Sequence, residues 1–405
     1  MSRKIRIGVF GAGRGQTMMN VMARHPDAEL AAVCDMYRPA LERCKSIARE
    51  TGSKTEFYED FDKFLRHDID AVVLANYANE HVPYAVKCLR SGRHVTSEVL
   101  CMQNMAEAVE LIEAVEESGK VYTYAENYSY FRSTAEMRRI YRRGDIGEFQ
   151  HGEGEYVHDC AGIWPQLTYG DPKHWRNTAS AAFYCTHATG PVITVTGLRP
   201  VKVVCFENPN VNNRKLGKLC GDGCMLCVSF ENGATGKFLP WNNGWRRNPE
   251  AIWYCIYGTN RQMETDRFGE TTDMLRVWIQ DKKEERYYKP EFPNASELAK
   301  ATGGHGGSDF YTMQYFLDAI LDREGKENAI DVYTAVDMTM IGTLGYRSAM
   351  EGGAPMECPD LRIPANREAA RSDRFCPGGG QPSCAWGDPD IPDSVYEETR
   401  KQQER

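Results

Sequence analysis

The chain has 405 residues and a formal net charge of −8, with 41% hydrophobic and 26% charged residues. That length predicts two domains, each able to bury a core. The acidic balance argues against nucleic acid as a partner, and no apolar run is long enough to span a membrane. Ile5 to Phe10 is an apolar run rich in β-branched residues, as a buried parallel strand requires. It breaks at Gly11-Ala12-Gly13-Arg14-Gly15. Thr17 to His25 reads as a helix and Glu29 to Cys34 as a second buried strand. Asp35 follows, about twenty residues past the glycines. The order strand, glycine turn, helix, strand, acid is that of a dinucleotide cradle. Glycines admit a pyrophosphate to the backbone, the helix N-terminus attracts its charge, and the acid meets a ribose diol. The third glycine comes one residue early, with Gln16 in its usual place. Met36 and Tyr37 after Asp35 favour NAD over NADP.

Arg38 to Thr51 reads as a helix and Asp70 to Ala75 as a third buried strand. Asn76 to His81 is then a polar loop at the strand's carboxyl end, where doubly wound sheets place ligands. Pro83 to Ser91 is helical, His94 to Glu98 is a fourth strand, Asn104 to Ser118 an amphipathic helix and Val121 to Ala125 a fifth strand. This alternation predicts a Rossmann domain over residues 1–125. After a helix at Ser133 to Arg143, strands dominate: Phe149 to Val157, Val201 to Phe206, Cys224 to Phe230, Ala234 to Leu239, Ala251 to Tyr257 and Val277 to Ile279. With helices at Phe316 to Leu321 and Tyr333 to Met350, residues 126–358 read as one α+β domain. Residues 359–405, rich in proline, glycine and charge, read as an irregular polar tail. The first strand begins almost at the start, leaving no room for a signal peptide. The 14 cysteines then read as reduced thiols of a cytoplasmic protein.

Several strings together resemble the Gfo/Idh/MocA oxidoreductases over about residues 4–360: GVFGAGRG with Asp35, the Asn76 to His81 loop, Ser97-Glu98, Ala125-Glu126-Asn127, FENGATG at 230–236 and DVYTAVD at 331–337. The resemblance implies an α/β fold. An N-terminal Rossmann domain would carry a C-terminal α+β domain built on an open, mostly antiparallel sheet, with the nicotinamide between them and a sugar or cyclitol as substrate. It also implies a homo-oligomer. One departure stands out: the family's Glu-Lys-Pro reads Glu98-Val99-Leu100, so the lysine that serves as general base is absent. A closer similarity is to the NAD-dependent glycosidases of glycoside hydrolase family 109. It rests on AENYSYFR (125–132), EYVHD (155–159), HWR (174–176), THATGP (186–191) and GGHGGSDF (303–310). By that resemblance the catalytic histidine falls on His187, with Ala188 in place of a glycine. The catalytic tyrosine falls on Tyr130, with Tyr128 as competitor.

The candidate cofactor residues are Gly11, Gly13, Arg14, Gly15, Asp35, Asn76, His81, Glu98, Asn127, Trp175 and Arg176. Glu98 ends a strand on the cofactor side and is also a catalytic candidate. A tyrosine beside an oxidised nicotinamide feels a positive charge that favours the phenolate, so Tyr128 or Tyr130 could serve as base. His187 is the alternative acid or base. His158 and His305 are candidate substrate contacts. Trp175 and Arg176 could stack on a sugar or donate in a fork. Cys220, Cys224 and Cys227 have a spacing used by some iron–sulfur sites. In a strand, Cys224 and Cys227 point to opposite faces, so no metal is expected. The expected reaction is hydride transfer at a sugar ring carbon, as a glycosidase that recycles NAD; a simple sugar dehydrogenase and an inactive NAD-binding sensor are the alternatives.

Overall fold

The computed structural model describes residues 3–246, 251–269, 273–292, 297–302 and 304–377. The chain divides into two compact units. The first comprises Met1–Cys101, Ala108–Phe131 and Phe292–Ala335; the second takes Met102–Glu107, Arg132–Glu291 and Val336–Arg405.

In the first unit six strands form one parallel sheet: β1 (Ile5–Phe10), β2 (Ala28–Cys34), β3 (Glu56–Tyr58), β4 (Ala71–Leu74), β5 (His94–Ser97) and β6 (Tyr122–Tyr124). Their order is β3-β2-β1-β4-β5-β6, and every pairing is parallel. This is the doubly wound arrangement, with its switch point between β1 and β4. Buried central strands such as AVVL are apolar on both faces because helices cover both. The sequence pattern misses β3, a three-residue edge strand (EFY) too short and polar to register. It also assigns residues 292–335 to the second domain, whereas they belong to the first unit. There the helix Ser308–Ile320 packs against the helix Gly15–Met22 and the 3₁₀ turn Asn127–Tyr130. The physical reason is a buried Asp309 that takes its donors from that unit.

The second unit is built on nine strands: β7 (Phe149–Val157), β8 (Pro200–Glu207), β9 (Cys224–Phe230), β10 (Thr235–Trp241), β11 (Ala251–Gly258), β12 (Arg261–Thr265), β13 (Leu275–Ile279), β14 (Glu284–Tyr288) and β15 (Met356–Glu357). Their order is β14-β13-β12-β11-β7-β10-β9-β8-β15. All pairings are antiparallel except β7 with β10. Cys224 is fully buried while Cys227 is exposed, so the two thiols leave β9 on opposite faces. The helix Thr186–Thr196 lies directly on β7, where a side chain at Gly154 would come within 1.9 Å of the Ala188 carbonyl oxygen. Of the polar tail, residues to 377 are described and contain a helix at Pro364–Ala370, begun by a proline; residues 378–405 lie outside the described residues. Among the described residues no helix is long and apolar enough to cross a membrane.

Candidate active site

The glycine turn of the first unit assigns a different task to each glycine. Gly11 has φ +102°, and a Cβ there would lie 2.3 Å from the carbonyl of Ala75. At Gly15 a Cβ would meet Val9 at 2.9 Å, so this glycine lets the helix Gly15–Met22 settle on the sheet. It supplies the close helix–strand contact one residue earlier than the usual spacing. Gly13 faces open space, with nothing within 4 Å of its would-be Cβ. Asp35, at the end of β2, braces the turn: Oδ2 accepts from the Ala12 amide at 2.6 Å and Oδ1 from the Tyr37 amide at 2.8 Å. Gln16 donates to the Ala12 carbonyl at 2.8 Å. At the end of β4, Asn76 Oδ1 is buried without a hydrogen-bond partner among the described residues. His81 is buried, and its ring nitrogens face the carbonyls of Leu100 (2.7 Å) and Asn76 (3.3 Å), which shapes this loop from beneath. A bare backbone at Gly13, an acid at Asp35 and an unsatisfied acceptor at Asn76 fit a dinucleotide.

Beside the turn, Arg14 reaches two carboxylates. Its Nη2 lies 3.0 Å from Glu98 Oε1 at the end of β5, and its fork donates to Asp309 at 2.7 and 3.1 Å. Asn127 Nδ2 donates to Asp309 Oδ1 at 3.2 Å, and His305 Nδ1 lies 2.8 Å from Asp309 Oδ2. Burial pushes the Asp309 carboxyl up, but the hydrogen bonds from His305 and Arg14 outweigh it and hold the group well below the usual carboxylate range. Four expected residues, Arg14, Glu98, Asn127 and His305, thus share one network. Asp309, its centre, escapes sequence reasoning because GGHGGSDF reads as a loop. The available signal is the four-residue spacing from His305 into the helix Ser308–Ile320.

The two candidate tyrosines differ. Tyr130 is buried, its hydroxyl donates to the Asn328 carbonyl at 2.9 Å, and its ring packs on Tyr315. Losing that proton would set a phenolate against a carbonyl oxygen. Tyr128 lies beside Phe131 and His305, with ring centroids 5.1 and 6.1 Å away. Val99, in the place of the absent lysine, is buried.

The second unit gathers its own candidates. His187 is buried in the first turn of the helix Thr186–Thr196, its ring between Tyr156 (4.8 Å) and Tyr184 (4.9 Å). Pro191 has no amide to give the His187 carbonyl four residues back; Tyr254 Oη donates there instead, at 2.6 Å. His158 stacks on the other neighbour of this group, Tyr156, and its Nδ1 contacts Cys160 Sγ at 2.8 Å. Tyr156 therefore links His158 to His187, a role that strand alternation alone does not mark. Trp175 is buried with Arg176 over its ring at 4.6 Å, and its indole nitrogen has no partner among the described residues. The Arg176 carbonyl accepts from the buried Lys218 at 3.3 Å, and Lys218 also lies over Trp164. Burial pulls the Lys218 ammonium down to about 8. Burial and the neighbouring Arg176 likewise pull His174 down to about 3.

The sequence model of the oxidoreductase family with the NAD-binding Rossmann fold matches residues 5–126, and that of the glycosyl hydrolase 109 C-terminal domain matches residues 253–364. A glycosyl hydrolase family 109 protein of Bacteroides thetaiotaomicron is 26% identical, covering 88% of this chain and 84% of its own. The α-N-acetylgalactosaminidase of Shewanella oneidensis is 23% identical, covering 88% of this chain and 85% of its own. Among solved structures, levoglucosan dehydrogenase in complex with NADH and levoglucosan matches with a TM-score of 0.69 at 19% identity, over 88% of this chain and all of that one. The scyllo-inositol dehydrogenase of Lactobacillus casei matches with a TM-score of 0.67 at 18% identity, over 89% of this chain and 100% of its own. These structures share the fold. The cradle shaped for a dinucleotide and these matches thus agree: residues 5–126 match the NAD-binding Rossmann domain of the oxidoreductase family, and residues 253–364 match the glycosyl hydrolase 109 C-terminal domain.

Proposed function

We propose that this NAD-dependent enzyme acts on sugars as a glycosidase, an aryl or alkyl N-acetyl-α-galactosaminide being the first substrate to try. The similarity to the Shewanella α-N-acetylgalactosaminidase supports that choice. The observation that carries the reading is the end of β5. Buried Val99 follows Glu98 where the resemblance places a lysine, while a tyrosine and a carboxylate–imidazole pair stand on the same unit. When bound, NAD supplies reversible hydride acceptance at a ring carbon.

The residues of the cradle divide the work. Gly13 admits the pyrophosphate, Asp35 meets the adenosine ribose, and Asn76 offers its unsatisfied oxygen. Arg14 and Glu98 brace the nicotinamide end. Tyr128 takes the hydroxyl proton at the oxidised carbon, in preference to Tyr130, whose proton is committed to Asn328. Within the second unit, His187 is the candidate acid or base, and His158, Trp175 and Arg176 are candidate sugar contacts. The ketone acidifies the neighbouring C–H, which lets a base expel the anomeric group; water then adds and the hydroxyl is restored. Reduced thiols among the described cysteines suit a cytoplasmic setting, and a homo-oligomer remains part of the proposal.

The test follows aglycone release and absorbance in the NADH band together, with the purified chain on a panel of aryl glycosides. Aglycone release without net NADH supports the glycosidase. Stoichiometric NADH with a keto-sugar replaces it by a dehydrogenase, and the absence of both overturns enzymatic action on sugars.

A further inference from the structure

In the second unit, both backbone polar groups of Arg176 are held by side chains. Its amide donates to His174 Nδ1 at 3.3 Å, and its carbonyl accepts from Lys218 Nζ at 3.3 Å. Burial, with Arg176 beside it, keeps the His174 ring neutral and so able to accept. Lys218 opens a run of three contacts in step. Lys218 Nζ, the Leu219 amide and Cys220 Sγ donate to the carbonyls of Arg176, Asn177 and Thr178, the last two at 2.8 and 2.9 Å. The Lys218 ammonium also lies 4.1 Å from the centre of the Trp164 ring, whose indole N–H donates to Asn177 Oδ1 at 3.0 Å. The Arg176 guanidinium that this frame presents is half-buried and rests over Trp175. It makes no hydrogen bond or ion pair among the described residues.

Stability does not account for Lys218. It is 2% exposed, and the titratable and charged groups that face it are Cys220, Cys160, Arg176 and Asp222. Burial pushes the two thiols up to about 12 and about 11, so both are uncharged at working pH. The Asp222 carboxylate is engaged by the amides of Val211, Asn212 and Asn213. An ammonium in such a place costs stability, and burial accordingly pulls it down to about 8. A methionine of similar length would remove that cost. A charge kept against stability marks a position that function has set.

We propose that Lys218 is the positioning residue that fixes Arg176 as the sugar contact of this unit. This rests on the proposed function, which gives Arg176 that contact. A guanidinium donates in a planar fork, so it binds well only where its backbone cannot turn. Lys218 holds the carbonyl end of that backbone, His174 holds the amide end, and the Trp164 ring holds the ammonium in turn. Loss of the ammonium proton weakens both contacts of Lys218.

Two measurements decide it. With para-nitrophenyl N-acetyl-α-galactosaminide as substrate, Lys218→Met is expected to raise KM about tenfold or more and leave kcat within about twofold. Its melting temperature at neutral pH is expected to be no lower than that of the wild type. An unchanged KM overturns the proposal, and so does a lower melting temperature with kcat and KM impaired together, which a merely structural lysine would give. In the wild type, KM is expected to climb as the pH rises through about 8. That series needs no variant to fold, and a KM flat across it overturns the proposal. In ¹⁵N spectra of the protein without sugar, the Arg176 amide and Trp164 indole resonances are expected to shift together across the same pH range, and Lys218→Met to abolish the shift. An Arg176 resonance that stays still while Trp164 titrates overturns the positioning role. A wild type that never releases aglycone overturns the proposed reaction, and the ¹⁵N spectra still decide whether Lys218 governs Arg176.

Discussion

Alanine at Gly11 and alanine at Gly13 are expected to fail in opposite ways, although both add a single methyl group to the same turn. At Gly11 the methyl meets backbone atoms, Ala75 C and O at 2.3 Å and Asn76 N at 2.5 Å, which follow directly on β4. Backbone at the centre of a parallel sheet cannot move aside as a side chain can. The φ of +102° adds a further penalty for any L-residue. A left-handed residue costs about 1–2 kcal/mol and an overpacked core about 1–3, so Gly11→Ala should destabilise the first unit by about 3 kcal/mol. At roughly 2–4 °C per kcal/mol, that is about 6–12 °C in melting temperature. At Gly13 the methyl meets nothing, so the melting temperature should hold within about 1 °C. The same methyl stands where the pyrophosphate must approach, and NAD affinity should fall by at least about tenfold, or 1.4 kcal/mol. Thermal melts without cofactor and calorimetric titration with NAD separate the two effects. Equal melting losses in both variants, or undiminished NAD affinity in Gly13→Ala, would refute the division of tasks along the turn.

Tyr128→Phe should reduce turnover by about 10²-fold or more, whereas Tyr130→Phe should keep turnover and lose about 1 kcal/mol of stability as the Asn328 carbonyl loses its donor; steady-state kinetics and melts on both variants check this. Arg14→Met leaves Asp309 without its guanidinium, and truncating one partner of a buried pair costs about 3 kcal/mol, read by urea unfolding. Lys218 sets a pH dependence. Its ammonium falls from 10.5 unfolded to about 8 folded, so between those values the unfolded chain binds the extra proton and stability rises with pH. The gain is present in full above 10.5 and lost as the pH falls through 8. It amounts to about 3 kcal/mol, and Lys218→Met should flatten that rise in denaturation curves taken across the window.

The parallel sheet was legible because its signals are local. Runs such as IRIGVF and AELAAVC declare a strand buried on both faces, and the turn between them carries its own glycines and acid. The edge strand β3 was not, since three residues at an edge need no apolar run. The placement of residues 292–335 was hidden for another reason. It depends on a pairing between Arg14 and Asp309, 295 positions apart, and nothing in either neighbourhood announces its partner. In the site, the place of the glycine turn between β1 and the helix Gly15–Met22 could be read, but not the separate packing of each glycine, which depends on Ala75 and Val9. The contrast between Tyr128 and Tyr130 could not, because it is decided by the Asn328 carbonyl, nearly two hundred residues away.

The absent lysine gains a physical meaning from this network. A lysine after Glu98 would bring a positive charge to the end of β5 and would itself be a proton acceptor once neutral. With Val99 there, the positive charge near Glu98 is that of Arg14, which stays protonated at any working pH and so can orient but cannot exchange a proton. Glu98, Asp309 and Arg14 together carry one net negative charge. The His305 ring, 43% exposed, stands 2.8 Å from Asp309, whose side chain is fully buried. With Val99 in that place, the string after β5 offers no amine to take a proton, so under the proposed reaction the hydroxyl proton goes to a side chain outside it.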